Sequence, residues 1–238
     1  MTKRFRFGTL CLATAMTLVS TQASAATVVL SKLTGLTGDN PAETAVYGAN
    51  LSAYGDNVSS IVIKDNSNTQ GGSPGQFSGF DLDAIKLSTT ACATAACVAG
   101  LAGLNVFNFS GAGTVFTPGS QRAPTDPRLF GTTGVNVFDN SIATLGAFDA
   151  DSSTTFPAGF LSLGDNGSIL FNLTSPVKLQ NLWLYIGEVG DNGEVAASTI
   201  SIFSNSVPEP TTWAMMILGI GFAGAAMRRR QRVSVSYA

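Results

Sequence analysis

The feature that most constrains the fold is a series of short runs in which apolar and polar residues alternate. Examples are VSSIVIKD, LNVFNFS, SILFNLTS and LWLYIGEV. Clusters rich in Gly, Asn, Asp and Pro separate these runs, and such residues favour turns. Apolar residues at helical spacing are nearly absent, so residues 26–206 are predicted to form one all-β domain, a β-sandwich or jelly roll.

Two Asp-Asn-Gly segments lie between such runs. Asp165-Asn166-Gly167 separates FLSLG from SILFNLT, and Asp191-Asn192-Gly193 separates LWLYIGEV from VAASTISIF. Asn-Gly accepts the positive φ angles of tight hairpin turns. The sequence therefore predicts two β-hairpins here.

Alternation also predicts which side chains share a face. The expected sets are Ile169, Phe171 and Leu173 on one strand, and Leu182, Leu184 and Ile186 on another. Trp183 and Tyr185 would then lie on the opposite face of the second strand. Packing between layers is the favoured interpretation for these two aromatic residues, and a surface groove is the alternative.

The N-terminus has the order of parts of a secretion signal. Lys3, Arg4 and Arg6 precede an apolar stretch, and TQASA then supplies small residues at Ala23 and Ala25. This order predicts a Sec signal peptide over residues 1–25, forming a helix and cut after Ala25. The alternative is a short buried helix at the start of a cytosolic domain.

Two cysteines, Cys92 and Cys97, remain after the signal peptide is removed. An even pair in an exported protein suggests one disulfide that closes a small loop. A metal or redox site is the alternative, but CATAAC lacks the C-x-x-C spacing and the chain contains no His. The disulfide is the favoured hypothesis.

Charge is distributed unevenly along the chain. Of 13 basic residues, three lie in the signal and four in the C-terminal tail, which leaves six for the middle. Nearly all of the 15 acidic residues lie in that middle region. A domain without a basic stripe cannot neutralise many phosphates, so no nucleic-acid partner is expected.

The sequence gives little sign of catalysis or of a cofactor. Without His there is no Ser-His-Asp triad, and no phosphate-binding loop follows a strand. Asp81 and Asp83 are two residues apart in GFDLDAI, so on a strand they share a face and are weak candidates for a Ca²⁺ site. Solvated acids at turns are the favoured alternative for the acidic residues. We therefore expect a non-enzyme without metal, with a carboxylate-dependent hydrolase as the alternative.

The composition changes abruptly after Ser206. Pro208-Glu209-Pro210 is a stiff extended spacer, and residues 211–227 carry no charge. At ~1.5 Å per residue this stretch reaches about 25 Å, close to the minimum for a transmembrane helix. Arg228, Arg229, Arg230 and Arg232 then predict a cytoplasmic end, followed by a short cytoplasmic tail over residues 233–238.

The order Pro208-Glu209-Pro210, Trp213-Ala214, apolar run and arginines resembles the PEP-CTERM sorting signal in its PEPxxWA form. The resemblance covers residues 207–232. It implies a Gram-negative bacterium that exports exopolysaccharide, and recognition and cleavage of the tail by exosortase in the inner membrane. The middle of the chain is more loosely similar to exported β-sandwich domains that carry this tail. The cell surface or extracellular matrix is then the expected destination, with carbohydrate or exopolysaccharide binding as the leading hypothesis and an uncleaved membrane anchor as a further alternative.

Overall fold

The computed structural model describes residues 24–38, 42–66, 69, 72–150, 159–192, 194, 199–204 and 218–221. The chain divides into a compact unit, Ala23–Asn205, and a second unit made of Met1–Gln22 and Ser206–Ala238. In the second unit only residues 218–221 are described, and they are helical. The predicted signal helix and most of the predicted 211–227 helix lie outside the described residues. Within the described part of the chain, no helix combines the length and apolar character that a membrane crossing requires.

The compact unit contains two five-stranded sheets. The first sheet has the order β1 (Ser24–Val28), β12 (Thr199–Ser204), β4 (Asn57–Lys64), β10 (Ser168–Lys178) and β6 (Thr114–Thr117). The second sheet has the order β2 (Ser31–Thr37), β3 (Thr44–Asn50), β11 (Trp183–Val189), β5 (Asp81–Ser88) and β9 (Leu161–Ser162).

Smaller elements connect these strands. They are a 3-10 turn at Gly75–Phe77, helix α1 (Ala95–Gly100), helix α2 (Asn140–Ala143), and a small hairpin of β7 (Thr132–Thr133) and β8 (Val137–Phe138). All strand pairs in the two large sheets are antiparallel. The prediction of a mostly β, antiparallel fold with few helices is confirmed.

One apolar core is shared by both sheets. Ile61, Ile63, Ile169 and Phe171 come from the first sheet, and Leu82, Ile85, Leu184 and Ile186 come from the second. Each of these side chains is at most 2% exposed, and burial of one such side chain stabilises the fold by about 1.5–3 kcal/mol. Two sheets facing one core have the layout of a β-sandwich.

A second layer covers the outer face of β11. Tyr185 packs there with Val46, Ala84 and Cys92, and Trp183 lies at the edge of the same cluster. The Tyr185 hydroxyl donates to the Thr90 carbonyl oxygen at 2.9 Å and accepts from the Cys92 amide at 2.7 Å. These two aromatic residues therefore pack between layers, as the alternation of β11 predicts.

The segment that forms this second layer is tied down at two points. A disulfide joins Cys92 to Cys97, with 5.7 Å between their Cα atoms. Nζ of Lys86 donates to the carbonyl oxygens of Val98 and Leu101, at 2.9 and 2.8 Å, where α1 ends. A buried ammonium group needs such acceptors, so Lys86 has a structural role at the end of this helix.

The two hairpins predicted at the Asp-Asn-Gly segments are wrong. β9 and β10 flank Asp165-Asn166-Gly167, but β9 pairs with β5 and β10 pairs with β4 and β6. β11 and β12 flank the second segment and likewise belong to different sheets. The turn chemistry is present, since Asn166 has φ of 65° and Asp191 has φ of 49°. The chain uses both turns to cross from one sheet to the other.

A close approach between two backbone segments explains why the chain crosses to the other sheet between β9 and β10. Gly164 has φ of +76°, and a Cβ atom there would lie 2.7 Å from the carbonyl carbon of Gly119. Ser120 and Asp165 exchange backbone hydrogen bonds directly beyond this point, at 3.1 and 2.8 Å. The loop after β6 is thereby fixed against the end of β9, where the candidate site lies.

Candidate functional site

A cleft of about 400 Å³ opens at the end of the second sheet where β5 begins and β11 ends. The residues that line it come from both strands and the neighbouring loops: Ala42, Gly72, Ser73, Phe77, Asp81, Phe160, Val189, Gly190 and Asn192. Apolar and polar groups thus share one concave surface, the usual character of a site for a small ligand.

Two phenylalanines, Phe77 and Phe160, form the apolar wall of the cleft, and Phe130 packs against both. The ring centroids of Phe130 and Phe160 are 4.1 Å apart and stacked, and Phe77 lies 5.3 and 6.0 Å from them. Phe130 and Phe160 are buried with Val189, whereas Phe77 is only partly buried. Phe77 and Phe160 both line the cleft, so this wall presents aromatic surface to whatever enters it.

Asp81 is the acidic residue that lines the cleft. It is 6% exposed, and its Oδ1 accepts a hydrogen bond from the Ser162 hydroxyl of β9. Burial raises the pKa of Asp81 well above its ordinary value, and the nearby Glu194 carboxylate raises it further. A proton on this carboxyl would make it both a donor and an acceptor.

Two glutamates lie close to Asp81. Oε2 of Glu194 accepts a hydrogen bond from the Asp81 amide at 3.1 Å, and Oε1 of Glu188 accepts one from the Asn192 amide at 3.2 Å. They are 1% and 0% exposed, respectively. Burial is the main cause that raises the pKa of Glu194 to about 8 and of Glu188 to about 7. We call Asp81, Glu188 and Glu194 the acidic cluster.

Gly72 makes room for the acidic cluster. It has φ of +62°, and a Cβ atom at this position would collide with the Glu194 carboxyl group. A larger residue would therefore be strained in its backbone and would displace Glu194 as well. The cleft depends on glycine at this position.

Arg122 supplies positive charge beside the cluster. Its Nε lies 3.4 Å from Oδ1 of Asp165, and its Nη2 donates to the Ser73 carbonyl oxygen at 3.1 Å. The guanidinium lowers the pKa of both Asp81 and Glu194, but burial outweighs it. Asp65 is also buried nearby, where its Oδ2 accepts from the Asn166 amide at 2.9 Å.

Asp83, the other predicted Ca²⁺ candidate, is placed elsewhere. Its Oδ2 accepts from the Thr44 hydroxyl at 2.7 Å and its Oδ1 accepts from the Ala150 amide at 3.1 Å. Asp81 has a different set of partners, so the structure does not give the two carboxylates a common ligand environment. In the part of the chain that the structure describes, no three acidic, cysteine or histidine residues converge as metal ligands would. A Ca²⁺ site at Asp81 and Asp83 stays a prediction.

Sequence reasoning found only part of this site. The sequence places Asp81 on a strand and Glu194 beside a turn. Nothing in it indicates that Glu188, Arg122 or Phe77 would lie near them. Glu188 is the penultimate residue of an otherwise apolar strand, LWLYIGEV. A charged residue at the buried end of such a run is the one local hint, since burial of a carboxylate demands a partner or a proton.

The sorting residues Pro208, Glu209, Pro210, Trp213 and Ala214 lie outside the described residues, as do Arg228, Arg229, Arg230 and Arg232. Their assignment depends on sequence comparison instead. No curated protein and no solved structure shows a significant similarity to the chain. Residues 206–230, however, match the family described as the PEP-CTERM protein-sorting motif. The chain therefore carries the sorting tail that marks an exported substrate of exosortase.

Proposed function

We propose that this protein is exported through the Sec pathway, held at the inner membrane by its tail, and then cut by exosortase. The mature domain reaches the cell surface or extracellular matrix and binds saccharide in the cleft, with the producer's exopolysaccharide as its ligand. The domain acts by binding and not by catalysis.

The observation that supports the export route is the sorting motif at residues 206–230. Most of the N-terminal segment with the order of a Sec signal, residues 1–22, precedes the compact unit in sequence, and the motif follows that unit directly. A motif placed after a complete folded unit can be removed without disturbing the core. This arrangement suits a tail that serves only in transport.

Intact-mass measurement of the protein from cells with and without exosortase tests the route. With the enzyme, we expect a chain that lacks both residues 1–25 and the arginine-rich tail. Without the enzyme, the tail should be retained and the protein should fractionate with the inner membrane. A chain that still ends in VSVSYA in exosortase-containing cells would instead support the uncleaved anchor.

The cleft supports saccharide binding. A sugar ring presents an apolar face, which packs on aromatic rings, and a rim of hydroxyls, which bond to carboxyl and amide groups. Phe77 and Phe160 provide the first kind of surface, and Asp81 and Asn192 provide the second. A cleft of about 400 Å³ has room for a short segment of a polysaccharide.

Retention of the mature protein on the producer's own polysaccharide tests this part of the proposal. Phe77→Ala should weaken binding about tenfold, because an aromatic contact of this kind contributes about 1–1.5 kcal/mol. Phe116→Ala is a matched control, since Phe116 is also partly buried but lies on β6, outside the residues that line the cleft. Equal retention of all three proteins, or retention of none, would contradict saccharide binding in the cleft.

A second function is favoured by one specific observation. Asp81 and Glu194 are neighbouring buried carboxyls whose pKa values are raised, which is a common property of general acids in hydrolases. The alternative is therefore a carboxylate-dependent hydrolase. Release of reducing ends from the polysaccharide, abolished by Glu194→Gln, would support the hydrolase and overturn the binding-only proposal.

A further inference from the structure

The first and last strands of the compact unit are paired with each other. Ser24 lies opposite Ser204, Ala25 opposite Phe203, and Ala26 opposite Ile202 in the antiparallel ladder of β1 and β12. On its other side β12 pairs with β4, and that ladder ends at Phe203 opposite Ser60. Among the described strands, Ser204 thus has Ser24 as its single ladder partner.

The expected signal-peptide cut falls inside this ladder. Cleavage after Ala25 removes Ser24 and Ala25 but leaves Ala26–Val28, and Val28 belongs to the shared core. The remaining three pairs keep β1 in the sheet. Ser204, however, loses its ladder partner, while Phe203 keeps its pairing with Ser60 and its carbonyl oxygen still accepts from the Ser59 hydroxyl at 3.1 Å.

These two residues stand immediately before the sorting tail. β12 ends at Ser204, and the matched motif begins at residue 206. Resting on the proposed route of export and tail cleavage, we infer that the two processing steps have a fixed order. The uncut N-terminus covers the β1-side edge of Phe203 and Ser204, and removal of residues 1–25 exposes that edge to the protease that cuts the tail.

The physical reason is competition for backbone groups. An extended peptide is commonly bound through its own N–H and C=O groups, and a strand inside a sheet has these groups already bonded to its neighbours. Loss of Ser24 and Ala25 exposes the edge of β12 next to the motif.

Two double variants of the full chain, expressed in exosortase-containing cells, distinguish the effect of β1–β12 pairing from the effect of merely keeping the signal peptide. Ser24→Leu/Ala25→Leu and Ser24→Pro/Ala25→Pro both remove the small residue that signal peptidase needs. The leucine variant keeps all backbone N–H groups. The proline variant loses two successive N–H groups, one of which must point toward β12, because successive groups point to opposite sides of a strand.

Intact-mass measurement should show that the wild type loses both ends. The leucine variant should keep its tail, and the proline variant should lose its tail although it keeps its N-terminus. The same processing in both variants, whether complete or absent, would overturn the inference, as would tail loss in the leucine variant alone. A wild-type chain that keeps its tail would overturn the proposed route itself, and the order with it.

Discussion

Asp81 and Asp83 are two residues apart on β5, and both are buried, yet their surroundings differ. Both oxygens of Asp83 accept hydrogen bonds, from Thr44 and from the Ala150 amide. Asp81 lines an open cleft, with one oxygen bonded to Ser162 and with Glu194 close by. Burial raises the pKa of both residues, to about 7 for Asp83.

The difference shows how a buried carboxyl group that stabilises the fold can be distinguished from one that can contact a ligand. Asp83 is enclosed by donors from β3 and from the loop near Ala150, so it joins two parts of the chain. Asp81 has a single side-chain donor, the Ser162 hydroxyl, and it lines a cleft that a ligand can enter. Four sets of substitutions, from the largest expected effect to the smallest, test this contrast.

Asp83→Ala should lower the free energy of unfolding by about 3 kcal/mol, because the Thr44 hydroxyl and the Ala150 amide would be buried without an acceptor. Asp81→Ala should cost less, about 1 kcal/mol, since only one side-chain hydrogen bond, from the Ser162 hydroxyl, is lost instead of two. Urea denaturation at pH 7 measures both. Equal losses for the two variants would abolish the distinction between the sites.

The acidic cluster should make stability depend on pH. The pKa of Glu194 is raised from 4.5 to about 8 in the folded protein. The folded state therefore holds a proton that the unfolded state releases between these values, and the free energy of unfolding falls as pH rises through this window. For one group the slope is at most about 1.4 kcal/mol per pH unit.

Glu194→Gln should remove part of this slope and stabilise the protein by about 2 kcal/mol at pH 8, with little effect at pH 4.5. Glu43→Gln is the matched control, because Glu43 is exposed on the chain before β3. Denaturation curves of the three proteins across pH 4.5–8 provide the comparison. Parallel curves for the wild type and Glu194→Gln would show that Glu194 is ionised in the fold at neutral pH.

Ligand binding should distinguish the two aspartates more directly. Asp81→Asn should weaken retention on the polysaccharide about tenfold, which corresponds to about 1.4 kcal/mol. Asp83→Asn should leave retention unchanged in the folded fraction, because Asp83 does not line the cleft. Titration calorimetry with defined oligosaccharides from the polymer measures both. Weaker binding in Asp83→Asn alone would place the ligand elsewhere.

The smallest expected effects come from the two hydroxyl donors. Thr44→Val and Ser162→Ala each remove one hydrogen bond to an aspartate, and each should cost about 1 kcal/mol of unfolding free energy. The pKa of the bonded aspartate should rise in both variants, since both hydroxyls lower it. Carboxyl carbon NMR titration detects this change, and an unchanged aspartate pKa would contradict the assigned bond.

The local sequence pattern predicted which side chains of a strand face the core, but it did not predict which strands pair with each other. Ile169 and Phe171, and likewise Leu184 and Ile186, face the core together because the period of a strand is fixed by its backbone. Asn166 adopts the positive φ that Asn-Gly favours, but this angle specifies only a turn. Whether the next strand returns to the same sheet depends on residues distant in sequence, such as the close approach of Gly119 to Gly164.

The candidate site was harder to predict for the same reason. Asp81, Arg122 and the Glu188–Glu194 segment are separated by tens of residues and meet only when β5, β11 and the loop after β6 are in place. The sorting tail is the opposite case. It acts as a linear segment, so its residues are contiguous and could be identified from their order alone.

The position of β12 between β1 and β4 also has a mechanical consequence. While the tail holds the domain at the membrane, any external load enters the fold through the end of this strand. The hydrogen bonds of an antiparallel ladder run perpendicular to the strand, so a pull along β12 loads the bonds on both its sides together rather than one after another. An internal strand of this kind resists extraction better than a terminal edge strand would, so the fold is held firmly at the end that leads into the sorting tail.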